Sequence, residues 1–118
     1  MINSVEIKKF EDIIAWQKGK DLVLAIYECF KECSDYSFKN QIERAAVSVM
    51  NNIAEGFERK TNKDFVRFLY MAKGSCGEVR SMLYLAIELK YISQNNFEKN
   101  YNMAIEISKI LSGLIKSL

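Results

Sequence analysis

The sequence predicts an all-α fold, an antiparallel up-down four-helix bundle in residues 11–118 that follows an N-terminal arm in residues 1–10. The chain has 118 residues, the size of one ordinary domain, and 49% of them are apolar, which is enough for a sizeable core. It contains no proline and five glycines, fewer turn residues than a β-rich domain of this length needs. Apolar residues recur at spacings of three and four in four segments, as they do on one face of a helix.

Helices one and two are predicted from residue 11 to about residue 33 and from about Phe38 to Phe57, with Ser37 as the N-cap of the second. Gly56 lies near the end of helix two, where a glycine can close a helix in the left-handed conformation, so this boundary is placed to within a turn. The predicted core faces are Trp16, Gly19, Val23, Ile26, Phe30 and Cys33 on helix one, and Ile42, Ala46, Val49, Ile53 and Phe57 on helix two.

Helix three is predicted from Thr61 to about Lys90, with Asp64 three residues after Thr61 as in a capping box. Asn95, which Glu98 follows at the same spacing, marks the start of helix four. The core face of helix three is Phe65, Leu69, Ala72, Cys76, Val79, Leu83 and Ala86. Helix four carries two apolar seams, Tyr101, Ala104, Ser108, Leu111, Ile115 and Leu118 beside Met103, Ile107, Ile110 and Leu114.

The helices carry more apolar surface than one bundle needs. A bundle helix needs an apolar stripe a little over ~100° wide, whereas the two seams of helix four together span about half of the circumference. Exposed on a monomer, such residues form patches that mark interfaces, so we predict a homo-oligomer. The alternative is irregular packing that buries them all within one chain. The additional apolar residues on the other helices are Val47, Met50 and Ala54 on helix two, and Met71, Met82, Leu85 and Leu89 on helix three.

A stripe of small and polar residues runs along helix two apart from its core face, and it predicts either a solvated edge or a buried hydrogen-bond network. A buried Glu55 would need a basic partner such as Arg44 or Arg67. Histidine, the commonest general base, is absent, and no spacing favours Glu55 and Glu78 as an acid–base pair, so we expect no catalytic residue and no enzyme activity. The predicted polar network is Gln41, Arg44, Ser48, Asn52, Glu55, Arg67 and Glu78.

The three cysteines, Cys29, Cys33 and Cys76, fall in apolar helical patterns and are interpreted as small buried side chains. Neither a CxxC pair nor a phosphate-binding loop occurs, so no metal and no cofactor is expected. The first ten residues, MINSVEIKKF, lack the apolar core of a signal peptide, and no run of about 18 apolar residues exists. The prediction is therefore a cytoplasmic protein without membrane association.

Basic residues give the one candidate binding surface. The net charge of +2 is too small to indicate a nucleic-acid-binding protein by itself. Three basic residues nevertheless cluster before helix three, whose start attracts anions, and two more lie between tyrosines on one face of that helix. The alternative is an ordinary solvated face. The residues predicted to contact RNA or DNA are Arg59, Lys60, Lys63, Lys73 and Arg80 for phosphates, and Tyr70 and Tyr84 for stacking.

Three stretches, FEDIIAWQKGKDLVLAIY, QIERAAVSVMNNIAEGFER and DFVRFLYMAKGSCGEVRSMLYLAIELKYI, resemble the four-helix bundle family known from intervening sequences inside bacterial 23S rRNA genes. The resemblance runs from about Phe10 to Ile92 and rests on AAVS, NIAEG, RFLY and GS..E in this order. It implies a small cytoplasmic bundle without known catalysis, commonly a ring-shaped homopentamer. Related accessory proteins of diversity-generating retroelements are basic, bind nucleic acid and contact a reverse transcriptase, which implies the same partners as possibilities here.

The family motif falls on helices two and three, where the resemblance implies packing and polar-network positions. The chain departs from the family pattern at Met50, where a proline is usual, and at Glu43, where a second arginine is common. The second departure, together with the small net charge, weakens the case for RNA binding. A protein–protein scaffold, or a passenger protein that binds no nucleic acid, is therefore the competing interpretation. The motif positions are Gln41, Arg44, Ser48, Asn52, Glu55, Gly56, Arg67, Phe68, Gly74, Ser75 and Glu78.

Overall fold

The computed structural model describes residues 7–118, and within that range the chain is all-α and contains no strand, so the predicted all-α class with four helices is confirmed. The first six residues of the predicted N-terminal arm lie outside the described residues. A short 3₁₀ helix precedes the four helices. The elements are the 3₁₀ helix Phe10–Asp12, α1 (Ile14–Cys29), α2 (Tyr36–Phe57), α3 (Asn62–Glu88) and α4 (Gln94–Ser117).

The N-caps explain where the helices begin. Thr61 caps α3 as predicted, because its Oγ1 accepts a hydrogen bond of 3.1 Å from the Asp64 N–H. The predicted caps Ser37 and Asn95 are wrong by two residues. Asp35 caps α2 and Ser93 caps α4, each through a 3.1 Å bond from the N–H three residues later. Both turns offer two capping side chains two residues apart, and the chain uses the earlier one, which lengthens each helix.

The helix ends also differ from the prediction. α1 ends at Cys29, four residues early, and Gly56 is not a cap but a residue inside α2. α3 ends at Glu88 and is closed by Lys90, whose φ of 64° places it in the left-handed region. The N–H groups of Lys90 and Tyr91 donate to the carbonyls of Ile87 and Ala86 at 3.1 and 2.8 Å. This is a Schellman closure in which lysine occupies the position that glycine favours.

Each helix packs against two neighbours. α1 and α3 both contact α2 and α4, whereas within residues 7–118 α1 and α3 do not contact each other. α1 and α3 therefore lie on opposite sides of the bundle. Specific contacts fix the register between helices. In the contacts that join α2 to α3, the residue number increases along α2 as it decreases along α3. They pair Gln41 with Glu78, Ser48 with Ser75, and Gly56 with Phe68.

The buried faces follow the predicted apolar spacing with local shifts. On α1 Leu22 is fully buried together with the predicted Ile26, whereas the predicted Val23 is half-buried. On α4 the buried stripe takes residues from both predicted seams. Its buried apolar residues are Ala104, Ile107, Leu111 and Leu114. None of the helices in the described part of the chain combines the length and hydropathy that crossing a bilayer requires.

The additional apolar residues differ in how far they are buried. Met82 is buried, and Val47, Met50 and Ala54 are half-buried, so those residues do not form the predicted exposed patch. The outward residues of α3 do remain exposed, and α1 adds exposed residues that the sequence did not indicate. The exposed members include Met71, Leu85 and the C-cap Leu89 of α3, and Ile14, Leu24 and Tyr27 on α1.

Candidate functional site

The junction between α2 and α3, residues 55–68, is called the corner below, and it is built on a close approach of the two helices. A Cβ atom at Gly56 would lie 2.5 Å from the Cβ of Phe68, closer than side-chain carbons can come. Gly56 is therefore required by packing and not by backbone conformation. The approach leaves Phe68 only 5% exposed at the edge of the bundle.

Two arginines cover the ring of Phe68. The guanidinium carbons of Arg59 and Arg67 lie 4.7 and 4.8 Å from the ring centroid, within the range of cation–π attraction. Glu55 holds Arg59 through a 3.0 Å ion pair, and Asp64 lies 3.8 Å from Arg67. The partner of Glu55 is thus Arg59, and neither Arg44 nor Arg67 pairs with it. Because a guanidinium has five N–H donors, both arginines keep donors beyond these contacts.

Lys60 and Lys63 are the uncommitted charges of the corner. Both are exposed, and neither belongs to any of the ion pairs found within residues 7–118. Residues 55–67 contain four basic and three acidic side chains, so the local net charge is only +1. Any attraction for an anion must therefore come from the arrangement of individual donors and not from a strongly positive field.

Lys73 and Arg80 lie apart from the corner. They are seven residues, or about two helical turns, apart, so they share the side of α3 on which Lys73 contacts α4. The Lys73 Nζ donates a 2.8 Å hydrogen bond to the Ser112 hydroxyl. Arg80 is half-buried, and its Nε finds no hydrogen-bond partner within residues 7–118. The structure thus divides the predicted basic surface into the corner and a seam between α3 and α4.

The two predicted stacking tyrosines have different surroundings. Tyr84 packs into an aromatic cluster on α4, with ring centroids 5.2 Å from Phe97 and 5.4 Å from Tyr101. Tyr70 is 58% exposed. Tyr84 is nearly as exposed, at 54%, so both rings keep surface available to a nucleobase, and among the described residues only the Tyr84 ring also packs against other aromatic rings.

The predicted polar network is divided into separate contacts. The Ser75 hydroxyl and the Asn52 amide each donate a 2.9 Å hydrogen bond to the Ser48 Oγ, which links α3 to α2. Farther along, the Gln41 amide donates to Glu78 at 3.3 Å. Gln41 lies 14 residues before Glu55 on the same helix, which separates them by ~21 Å. Glu55 and Glu78 therefore stand at different levels of the bundle and do not share a site.

Arg44 belongs to a surface groove that sequence reasoning missed. The groove has a volume of about 460 Å³, and Arg44 takes part in none of the ion pairs found within residues 7–118. The groove lies between α1 and α2, so no pattern within one helix could reveal it. The residues that line it are Tyr27, Arg44, Val47, Ser48, Asn51, Asn52 and Glu55.

The cysteines are placed as packing residues. Burial raises the pKa of the Cys76 thiol to about 11, and burial also raises the pKa of the half-buried Cys29. Both thiols are therefore protonated near neutral pH. Within residues 7–118, no three histidine, cysteine, aspartate or glutamate side chains are grouped as metal ligands.

Comparisons with known proteins agree with this architecture. The model of a family described as 23S rRNA-intervening sequence protein matches residues 11–113, which extends past Ile92 into α4. A crystal structure of a protein with unknown function from the S23 ribosomal protein family of Bacteroides thetaiotaomicron has a TM-score of 0.83 and 27% sequence identity. The match covers 87% of this chain and 99% of that one. No curated protein matches the chain.

Proposed function

Because the chain belongs to the family of 23S rRNA-intervening sequence proteins, we propose that it is a non-catalytic up-down bundle that assembles with itself and binds RNA or DNA. Residue numbers run in opposite directions through the contacts between α2 and α3, which supports an antiparallel arrangement of these two helices. The exposed Met71, Leu85 and Leu89 support self-assembly, because a monomer would leave them in water. Five copies is the number that the family resemblance implies, and a nucleic-acid polymerase such as a reverse transcriptase is the protein partner it implies.

The observation that carries nucleic-acid binding is the corner. Lys60 and Lys63 are exposed and uncommitted, and they flank arginines that are already fixed on Phe68. A guanidinium held in place loses little side-chain entropy when it contacts a phosphate. The exposed ring of Tyr70 lies one to two turns farther along α3, and it suits stacking by an unpaired base. Assembly repeats each corner around the symmetry axis, so weak single contacts add through multivalency.

A salt titration of filter binding to an RNA hairpin tests this function. The double variant Lys60→Ala/Lys63→Ala removes two phosphate contacts, so the slope of log affinity against log salt becomes shallower by ~1.5, at roughly 0.7–0.9 per contact. The matched control is Lys90→Ala/Lys99→Ala, two exposed lysines at the other end of the bundle, which leaves the slope unchanged. Affinity that does not fall with rising salt, or equal slopes in both double variants, contradicts binding at the corner.

A protein scaffold is the second candidate, and one observation favours it. Glu55 and Asp64 offset Arg59 and Arg67, so the corner is nearly neutral. A mixed-charge surface of this kind suits a protein partner as well as a phosphate chain. An assembled protein that fails to bind RNA and DNA even at low salt supports the scaffold. Sedimentation that finds only a 13.7 kDa particle at micromolar concentration contradicts self-assembly in either form.

A further inference from the structure

The exposed apolar side chains are concentrated on two helices. Of the nine large apolar side chains exposed within residues 7–118, four belong to α3 and a fifth is its C-cap Leu89, three belong to α1, one to α2 and none to α4. Because α1 and α3 pack only against α2 and α4, the outward faces of these two helices lie on opposite sides of the bundle. One contiguous patch on one side would suit a two-fold dimer, whereas two opposite patches suit head-to-tail contacts.

The α3 strip, defined as the outward surface from Met71 to Leu89, has a consistent shape. Met71, Leu85 and Leu89 fall within about 40° of one another at 100° per residue, so they form one line about 27 Å long. Gly74 lies between them on that side, and a Cβ added there would meet no atom within 4 Å. An exposed glycine inside a helix costs roughly 1 kcal/mol relative to alanine and gives no packing within this chain. The strip thus has a low point at Gly74, less than one turn from Met71, and its other apolar side chains, Leu85 and Leu89, lie at the far end.

The α1 surface, defined as Leu24, Tyr27 and the groove that Tyr27 lines with α2, projects where the strip is low. Leu24 is 62% exposed and stands one turn from Tyr27, which lines the groove. Both side chains lie on α1, which does not contact α3, and the groove beside Tyr27 extends over α2 as far as Ser48. A projecting leucine and tyrosine match the low point at Gly74 on the α3 strip of another copy.

The charges at the two surfaces also complement each other. Glu78 and Glu88 on the α3 strip form no ion pair within residues 7–118. Lys20 and Arg44 beside the α1 surface also form no ion pair within residues 7–118. Near them, the carboxylate of Asp21 is likewise without an ion-pair partner among these residues. Contact between an acidic surface and a basic surface is favoured over contact between two surfaces of like charge.

From these features we infer that copies of this chain associate head to tail, with the α3 strip of one copy seated on the α1 surface of the next. The inference rests on the proposed self-assembly and identifies its interface. Each copy then keeps one free surface of each kind, so assembly continues until the ring closes or a filament forms. A fixed turn between successive copies sets the number in a ring.

A mixing experiment with two variants tests the inference. Leu24→Glu disables only the α1 surface, and Leu85→Glu disables only the α3 strip, and both positions are exposed, so each variant folds. By sedimentation each variant alone is a 13.7 kDa monomer. An equimolar mixture gives a particle of about twice that mass, because one intact α3 strip meets one intact α1 surface and growth then stops. Tyr36→Glu is the matched control, at an exposed aromatic residue outside both surfaces, and it assembles like the unmodified chain.

The outcomes separate the inference from the function on which it rests. If the unmodified chain assembles but the mixture stays monomeric, or if either variant alone still assembles, the head-to-tail interface is wrong and self-assembly stands. If the unmodified chain is itself monomeric, both fail. Gly74→Leu gives an independent check. It fills the low point of the strip and favours the helix, so it abolishes assembly while the thermal stability of the monomer is kept or raised.

Discussion

Replacing Gly56 by alanine tests the packing on which the corner depends. The new methyl group would lie 2.5 Å from the Cβ of Phe68 and 3.1 Å from Cδ1 of Phe65. Carbon atoms pack at about 3.5–4.0 Å, so the overlap with Phe68 is roughly 1 Å or more. The Cβ of Phe68 is bonded directly to the α3 backbone, so no side-chain rotation relieves the contact. α2 and α3 must therefore move apart.

Two opposing effects set the magnitude. Alanine in a helix interior is better than glycine by about 1 kcal/mol. Overpacking costs about 1–3 kcal/mol, and the upper end applies because backbone must shift. Separation of the helices also weakens the contacts of Arg59 and Arg67 with Phe68, at about 0.5–1 kcal/mol each. We expect Gly56→Ala to lower the free energy of unfolding by about 2–3 kcal/mol.

Urea unfolding followed by circular dichroism measures this change at one fixed protein concentration, since assembly makes stability concentration-dependent. With a slope of about 2 kcal/mol per molar urea, the midpoint falls by about 1–1.5 M. Gly113→Ala is the matched control. That glycine is exposed on α4 with open space at its Cβ, so the substitution stabilises by up to about 1 kcal/mol. If both alanine variants are stabilised alike, the close approach at Gly56 is refuted.

Three further predictions concern the opposite end of the bundle and the core. Asp35 accepts a 2.7 Å hydrogen bond from the Tyr91 hydroxyl, and this bond together with the Phe38 N–H lowers the pKa of Asp35. The lowered pKa contributes stability that is present above the unfolded pKa of about 3.9 and is lost as pH falls through the folded value. Thermal melts of Tyr91→Phe should therefore lie below those of the unmodified chain at pH 7 and converge with them near pH 2; a constant difference would contradict this linkage. Lys90→Gly relieves the left-handed residue after α3 and should raise stability by about 1 kcal/mol in urea unfolding, whereas Lys90→Ala, which keeps the strain, should not. Cys76 should stay unmodified by a thiol reagent at pH 8 until the protein is unfolded, because the fully buried thiol has a pKa of about 11; mass spectrometry of the labelled native protein that finds Cys76 modified would contradict its burial.

Local features of the structure were predictable from the sequence. The Thr61 cap depends on residues three positions apart, and its hydrogen bond forms as expected. The caps at Asp35 and Ser93 were missed because each turn contains two suitable side chains, and local rules do not choose between them. The ion pair of Glu55 with Arg59 was also predictable, since residues four apart are neighbours on a helix, although Arg44 and Arg67 were the partners that the sequence analysis named.

The candidate site was predictable as residues but not as an arrangement. The sequence placed Arg59, Lys60 and Lys63 together because they are adjacent in one turn. It grouped Lys73 and Arg80 with them, whereas the structure turns those two toward α4. That separation depends on the side of α3 to which the last helix docks. A helical wheel shows which residues share a face but not which face a neighbour covers.

By itself, the sequence determined four amphipathic helices and their approximate limits, because apolar periodicity and capping act over a few residues. The tertiary structure alone decided that Met82 is buried while Met71 is exposed. It also decided that Tyr27 of α1 and Arg44 of α2 line the same groove. It also decided that Gly56 is a point of contact between helices. The reason is that burial and electrostatic partners depend on the relative placement of helices, which side chains distant in the sequence set together when they pack.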